Sequence, residues 1–110
     1  MSYYVSKEDF YRAYLESREA GKITDELARY FDRTVRGLAQ RGNFRNYPDI
    51  DDMIGDAMLR LCQVWQRFDA DNYTGVHAWV SQVAYFVFIA RIEKMKKELA
   101  DREKWEALWQ

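Results

Sequence analysis

The sequence is poor in the residues that build disulfides, metal sites and chain breaks: it has one cysteine (Cys62), one histidine (His77) and one proline (Pro48). A lone cysteine cannot form a disulfide within the chain, and one cysteine with one histidine is a poor basis for an ordinary zinc site. The N-terminus has no apolar stretch typical of a signal peptide, and no run approaches the roughly 18 apolar residues of a membrane span. We therefore expect a cytoplasmic protein with no membrane segment, no metal and no cofactor.

The usual sequence signs of catalysis are also missing. Neither of the phosphate-binding loops GxxxxGKS/T and GxGxxG is present. A nucleophile would have only His77 as its base, and no paired carboxylate is near that histidine in sequence. Asp52 and Asp56 are four residues apart and could bind Mg²⁺, but carboxylates near a helix start are commonly placed there by the helix dipole. We predict that the chain is not an enzyme.

What the chain has in quantity is apolar and charged residues. Of its 110 residues, 48% are hydrophobic and 16% aromatic, enough for a single domain over residues 1–110 to bury a core. The net charge of −1 hides two blocks: residues 29–48 carry five arginines against one aspartate, and residues 49–71 carry six aspartates against two arginines. Such a chain can present one face to nucleic acid and another to a basic protein. Solvated helix faces without function are the other interpretation.

Apolar residues recur with a helical period, which predicts an all-α fold, a compact four-helix bundle with a long C-terminal helix. The first helix is predicted to begin after Ser6 and to end near Gly21. Thr24 is expected to cap a second helix that ends before Gly42, and Asp49 to cap a third. The predicted inward positions are Phe10, Ala13 and Tyr14, then Leu27, Phe31, Val35 and Leu38, then Met53 or Ile54, Ala57, Leu61, Val64 or Trp65, and Phe68.

The last predicted helix begins near Val76, runs beyond Leu99 and carries two apolar stripes. The first stripe consists of Val76, Val80, Val83, Val87 and Ala90. The second stripe consists of Tyr85, Phe88, Ile92, Met95 and Leu99. Two stripes are more than a peripheral helix needs, so either this helix is central or one stripe faces a ligand or partner.

Several short motifs follow one another in a recognisable order. Residues 52–56 read Asp-Met-Ile-Gly-Asp and lead into an apolar run that ends in Arg-Phe-Asp at residues 67–69; a short loop then precedes Val-His-Ala-Trp-Val at residues 76–80. This order resembles region 2 of bacterial sigma factors over residues 24–98, with the arginine-rich helix 27–41 matching the first helix of that region. The loop Asn-Phe-Arg-Asn-Tyr at residues 43–47 is similar to the N-F-x-x-Y loop of the short late-gene sigma factors of tailed phages, which the spacing resembles most.

The resemblance implies a phage-type minimal sigma factor. Such a protein binds bacterial core RNA polymerase through the clamp helices of the beta-prime subunit, and it recognises and melts an AT-rich promoter element like the minus-ten element. Asp52 and Asp56 would form charge-assisted pairs with arginines of the clamp helices. The residues implied in polymerase binding are Asp51, Asp52, Asp56, Met58, Arg60 and Cys62.

In sigma factors the following loop and helix capture unpaired bases of the non-template promoter strand, with stacking on aromatic side chains and basic residues at the phosphates. By position, the implied DNA-binding residues are Asn72, Tyr73, His77, Gln82, Tyr85 and Phe86, with Arg91 and Lys94 for phosphates. Trp79 is expected in the core because it lies on the side of Val76 and Val83. Helical spacing predicts that at least one of Tyr85 and Phe86 is also in the core.

The C-terminal residues 101–110 form an aromatic tail in which Trp105, Leu108 and Trp109 have helical spacing. We expect no second DNA-binding domain, as in the phage late factors, which use a separate coactivator and bind a sliding clamp through an acidic and hydrophobic tail. A phage coactivator or a sliding clamp is therefore an expected partner of the chain, and the tail is an expected partner contact. The alternative is that the tail folds back onto the bundle.

Two other functions remain open at this point. A protein that mimics region 2 would occupy the clamp site and inhibit host transcription. A helical adaptor would instead form a homodimer through its second apolar stripe and would not contact polymerase.

Overall fold

The computed structural model describes residues 3–109, and in that part of the chain all regular structure is helical. The elements are α1 (Lys7–Ala20), α2 (Asp25–Ala39), α3 (Ile50–Val64), a 3-10 turn (Trp65–Arg67) and α4 (Val76–Ala107). This architecture confirms the predicted all-α bundle with a long C-terminal helix. None of these helices combines the length and the apolar character that crossing a membrane requires.

The ends of α1 and α2 follow from their capping residues. The Ser6 hydroxyl accepts a hydrogen bond of 3.1 Å from the Asp9 amide, and the Thr24 hydroxyl accepts one of 3.3 Å from the Leu27 amide. Gly21 ends α1 in the left-handed conformation (φ 73°), which glycine adopts without the steric cost of a Cβ. The predicted start and stop signals of these two helices are confirmed.

The start of α3 is built differently. Asp49 is at the predicted N-cap position, but its backbone (φ −92°, ψ 20°) is not extended and its side chain makes no capping hydrogen bond. A backbone turn immediately before α3 is present instead, in which the Ile50 amide donates a hydrogen bond of 3.2 Å to the Tyr47 carbonyl. The prediction of Asp49 as a side-chain cap was therefore wrong, although the boundary was right.

Two polar networks join α1 to the rest of the bundle. Arg12 donates two hydrogen bonds of 2.9 Å to the Glu26 carboxylate. The same carboxylate accepts a hydrogen bond of 2.9 Å from the Tyr30 hydroxyl. These donors, Arg12 foremost, lower the pKa of Glu26 to about 2. The buried Tyr14 hydroxyl donates to the Trp65 carbonyl at 2.8 Å and so connects α1 to the end of α3; burial raises the pKa of this tyrosine.

The segment 42–48 between α2 and α3 contributes to the core through Phe44. This side chain is only 1% exposed and packs edge-on against Phe88 of α4, with ring centroids 5.2 Å apart. A loop that buries an aromatic ring is held in one position relative to α4.

The buried face of α4 lies between the two predicted stripes. It consists of Val76, Val80, Ala84, Phe88 and Ile92. Because inward positions recur every four residues from Val76, Tyr85 and Phe86 point away from the core and are 41% and 60% exposed. The prediction that at least one of these two aromatics is in the core was wrong. Of the first stripe, Val76 and Val80 are buried, Val83 and Val87 are half-buried and Ala90 is exposed.

The C-terminal part of α4 projects beyond the bundle. Residues 96–109 are all exposed, and the molecule measures 61 Å along its long axis against 28 and 23 Å across. Trp105 and Trp109 contact each other edge-on at 5.6 Å, and Leu108 is 78% exposed. The tail therefore does not fold back onto the bundle, which was one of the two predicted alternatives.

Candidate functional site

The outward side of α3 combines carboxylates with exposed apolar groups. We call this surface the α3 face; its residues are Asp51, Asp52, Asp56, Leu59 and Cys62. Leu59 is 60% exposed and lies three residues from both Asp56 and Cys62. It was missed in the sequence, although its spacing of seven from Asp52 places it on the same side of the helix. The face therefore has an apolar centre beside its charges.

Two residues predicted for polymerase binding lie off this face. Met58 is half-buried and packs against the core, and Arg60 is turned toward α4. The helical period explains both positions, because residues 58 and 60 lie on opposite flanks of the line through Asp52 and Leu59. Of the predicted set, Asp51, Asp52, Asp56 and Cys62 remain on the outward side.

Arg91 of α4 bridges the carboxylates of the α3 face. Its guanidinium donates to Asp56 at 2.7 Å and lies 3.6 Å from Asp52. This residue was predicted to contact DNA phosphates, but its charge is directed at the carboxylates predicted to bind a partner. Since Asp52 is 71% and Asp56 41% exposed at the side chain, the link contributes only roughly 0–1 kcal/mol.

The turn between the 3-10 segment and α4 borders a groove of about 630 Å³. We call it the loop groove; its lining includes Lys7, Arg67, Phe68, Asn72, Tyr73, Trp79 and Gln82. Three of the residues predicted to bind DNA, Asn72, Tyr73 and Gln82, therefore meet around one concavity. Tyr73 is 65% exposed at its rim.

Side-chain hydrogen bonds hold the first part of the loop, residues 69–72, in place. The Asp69 carboxylate accepts from the Asn72 amide nitrogens, at 3.3 Å from the backbone and 2.8 Å from the side chain. The Tyr11 hydroxyl donates to the Ala70 carbonyl at 2.9 Å and so anchors the turn to α1. Hydrogen bonds of this Asx type give a loop a defined shape. Tyr73 follows directly after this bonded segment, and its side chain is exposed to solvent.

Trp79 belongs to the groove as well as to the core. It is half-buried, and its ring packs against Phe68 at 5.7 Å between centroids. The prediction that assigned it to the core alone was incomplete, because its open side lines the loop groove. Arg67 and Lys7 were also missed. Arg67 was visible in the Arg-Phe-Asp motif, but Lys7 comes from the start of α1 and no local pattern could have placed it there.

His77, Tyr85, Phe86 and Lys94 do not line the loop groove. The His77 ring faces α1, with its centroid 6.2 Å from that of Phe10. Tyr85 packs between Phe44 at 5.8 Å and Phe86 at 5.9 Å. Lys94 is exposed two turns beyond Phe86 along α4. The predicted DNA-binding set is therefore divided between the groove, the outer side of α4 and the contact with α1.

A second groove, of about 440 Å³, runs between α3 and α4. We call it the side groove; it is lined by Arg60, Val64, Arg67, Trp79, Val83, Phe86, Val87 and Ala90. Arg67 and Trp79 line both grooves, so the two concavities adjoin. Within residues 3–109, no three His, Cys, Asp or Glu side chains are grouped so that they could hold a metal ion.

Comparison with protein-family models matched residues 27–98 to sigma-70 region 2. The match includes α2 from Leu27 onward, α3, the turn that borders the loop groove, and α4 as far as Glu98. It covers well over half of the chain. Comparisons with curated proteins and with solved structures found no match.

Proposed function

The chain belongs to the sigma-70 region 2 family, and from this membership we propose that it is a phage-type minimal sigma factor that directs the core RNA polymerase of its host to AT-rich promoters. The family gives the chain a sigma-like, non-enzymatic role in binding RNA polymerase and melting promoter DNA. The phage-type form of the proposal is supported by the Asn-Phe-Arg-Asn-Tyr loop at residues 43–47.

We assign polymerase binding to the α3 face. The clamp helices of the beta-prime subunit are the proposed partner, with their arginines opposite Asp52 and Asp56. Arginine forms strong charge-assisted bonds with carboxylates, and docking would exchange the weak internal pair with Arg91 for such bonds. Leu59, exposed between the charges, would be buried at the centre of the contact, where apolar side chains add most to affinity.

We assign capture of an unpaired promoter base to the loop groove. Trp79 and Tyr73 offer aromatic surfaces for stacking, and the Gln82 amide can hydrogen-bond to the edge of a base that has left the duplex. Arg67 and Lys7 are the cations near enough to the groove to neutralise the phosphates of that strand. AT-rich DNA fits this role because its pyrimidine–purine steps open at low cost.

One observation supports the proposal more than any other. Residues from the turn (Asn72 and Tyr73) and from α4 (Trp79 and Gln82) converge on one groove, and that groove adjoins the helix that carries the acidic α3 face. A protein that opens DNA on the surface of polymerase needs both surfaces on one rigid body. The buried rings of Phe68 and Tyr14, 5.2 Å apart, supply that rigidity beneath the groove.

Run-off transcription tests the proposal. Core RNA polymerase from the host is combined with the chain and a DNA template bearing AT-rich promoters, with and without the coactivators of the same phage. We expect defined start sites that depend on the chain. Stable binding to core polymerase without initiation would instead identify an inhibitor that mimics region 2, and absence of both signals would leave the helical adaptor.

Variants in the groove separate promoter opening from docking. Replacement of Tyr73 by alanine should lower initiation about tenfold, since stacking is worth roughly 1–3 kcal/mol per base. Replacement of Gln82 should lower it up to about tenfold, since a hydrogen bond is worth roughly 0.5–1.5 kcal/mol. Binding to core polymerase should stay unchanged in both variants. Tyr4→Ala serves as a matched control, because Tyr4 is an exposed tyrosine (77%) outside the loop groove. Equal losses in the variant and the control would contradict the assignment of the groove.

A further inference from the structure

We infer that the projecting part of α4 pairs with the same segment of a second copy of this chain, in antiparallel orientation. The contact surface consists of Met95, Leu99, Trp105 and Trp109, and we call it the tail face. Three of these four residues lie beyond residues 27–98, the part of the chain that matches the family. The pairing is therefore a property of the chain that is independent of its proposed function.

The tail face continues the buried face of α4. At about 100° per residue, its four residues lie within about 120° of the helix circumference. Phe88 and Ile92, which are buried in the bundle, lie on the same side of the helix. Farther along, Leu99, Trp105 and Trp109 are 55%, 60% and 74% exposed, so nothing in the described part of the chain covers this side. A contiguous apolar surface of this kind marks an interaction site.

The second apolar stripe, which the sequence offered as a homodimer contact, leaves little free surface within the bundle. Phe88 and Ile92 of that stripe are buried, and Tyr85 packs between two other aromatic rings. Only its last two residues, Met95 and Leu99, belong to the tail face. A second copy therefore contacts the projecting segment and not the stripe as a whole.

Charged residues beside the tail face fit a second copy in antiparallel orientation. Lys96 and Glu103 are seven residues apart and lie on the same flank of the face. A two-fold axis through the middle of the segment brings Lys96 of each copy opposite Glu103 of the other. On the other flank it brings Glu98 of each copy opposite Arg102 of the other. None of these four side chains makes an ion pair within the described part of the chain, so all four charges are available to a second copy.

The same register matches the apolar residues and excludes the parallel orientation. Met95 of each copy comes opposite Trp105 of the other, and the two Leu99 side chains meet near the axis. In a parallel pair, flanking residues five positions apart face each other. Glu98 of one copy would then face Glu103 of the other, and this repulsion opposes pairing. Charge and apolar pattern together therefore favour the antiparallel pair.

Sedimentation equilibrium of the chain over a series of concentrations tests the inference. We expect reversible conversion from a species of the chain mass to one of twice that mass. Trp105→Ala should weaken this association about 30-fold, because a tryptophan buried in a contact commonly carries a large share of the affinity. Leu108→Ala is the matched control, since Leu108 is 78% exposed and lies outside the tail face.

Charge reversal tests the orientation. Lys96→Glu and Glu103→Lys should each weaken self-association about tenfold, because each places like charges opposite one another at two positions. An equimolar mixture of the two variants should associate as tightly as the unmodified chain, because opposite charges face each other again in the mixed pair. Lys97→Glu, on the far side of the helix, is the matched control.

Three results would overturn the inference. The first is a single monomeric species up to about 1 mM, where even a weak pair is populated; the tail face would then belong to a partner other than a second copy. The second is stronger association of Glu103→Lys alone, which a parallel pair predicts. The third is association that Trp105→Ala leaves unchanged, which would place the contact elsewhere. All three leave the proposed function intact, since neither polymerase nor DNA is present.

Discussion

Where α1 meets α2, the polar side chains are paired with one another, whereas along the grooves between α3 and α4 cations and aromatic rings are left facing solvent. At the first contact, Arg12 and Tyr30 both donate hydrogen bonds to the Glu26 carboxylate. The Ser17 and Thr24 hydroxyls there lie 3.0 Å apart. At the second, Phe86 is 60% exposed and Arg60 has no ion-pair partner in the part of the chain that the structure describes.

The difference separates two uses of the same residue types. A polar group whose hydrogen bonds are satisfied within the molecule stabilises the fold and has little left to offer a partner. An exposed aromatic ring beside an unpaired cation contributes little to folding but has its interactions available. Arg91 is intermediate, because it is paired with Asp56 but the pair is partly exposed to solvent.

The largest expected effect contrasts two phenylalanines on α4. Phe88 is fully buried against Phe44, so Phe88→Ala should lower the free energy of unfolding by about 3–5 kcal/mol. Phe86→Ala should change it by less than about 0.5 kcal/mol, since Phe86 is exposed. Urea denaturation measures both values. Similar losses in the two variants would mean that Phe86 is part of the core and the comparison is wrong.

The next effect concerns the carboxylates of the α3 face. The double variant Asp52→Arg, Asp56→Arg should lower affinity for core RNA polymerase about 100-fold or more, because it would set like charges against the arginines of the proposed partner, the clamp helices. Fluorescence anisotropy with labelled chain measures the affinity, and circular dichroism checks the fold. Glu8→Arg with Glu19→Arg on α1 makes the same change in net charge and should bind normally. An unchanged affinity in the first variant would refute the docking surface.

A smaller effect compares the starts of α2 and α3. Thr24→Ala removes a hydroxyl that accepts from the Leu27 amide, and should cost about 1 kcal/mol of stability. Asp49→Ala removes a side chain that makes no capping bond, and should cost at most a few tenths of a kcal/mol from the helix dipole. Thermal denaturation of both variants measures the difference. A loss at Asp49 as large as that at Thr24 would contradict the described start of α3.

The smallest effect is the pH dependence of the contact between α1 and α2. The pKa of Glu26 is about 2 in the folded protein against an ordinary value of 4.5, so the folded state holds this proton less tightly than the unfolded state. The stabilisation is therefore complete above pH 4.5 and is lost as the pH falls toward 2. Glu26→Gln should flatten the decline of the melting temperature over this range. An identical decline in both proteins would show that Glu26 has no such role.

Local sequence signals were sufficient for most of the fold. Capping by Ser6 and Thr24, and the left-handed Gly21, act within a few residues of each helix end, so their effects are visible in the sequence. The buried face of α4 could not be identified from the sequence, because α4 carries apolar residues on several sides. Which of these sides is buried depends on the elements that pack against the helix. Phe44 and Ala84 are part of the buried core only because of that packing.

The candidate site divides in the same way. Asn72, Tyr73 and Gln82 were predicted by position from the family resemblance. They meet around one groove because they lie within one loop and the helix that follows. The contribution of Lys7 could not be found, since it reaches the groove from the start of α1. Likewise the partner of Arg91 is Asp56, 35 residues earlier, a pairing that only the crossing of α3 and α4 creates.

The central claim is that partners bind along α3 and α4, whereas the contact between α1 and α2 serves only the fold. Hydroxyl-radical footprinting of the chain, alone and in complex with core RNA polymerase and forked promoter DNA, tests this claim most directly. We predict that Leu59, Tyr73 and Phe86 lose most of their reactivity in the complex, while Leu15 of α1, which is 39% exposed, keeps its own. Protection of Leu15 with unchanged reactivity at Leu59 and Phe86 would contradict the account, because the partner would then occupy the side of the bundle assigned to folding.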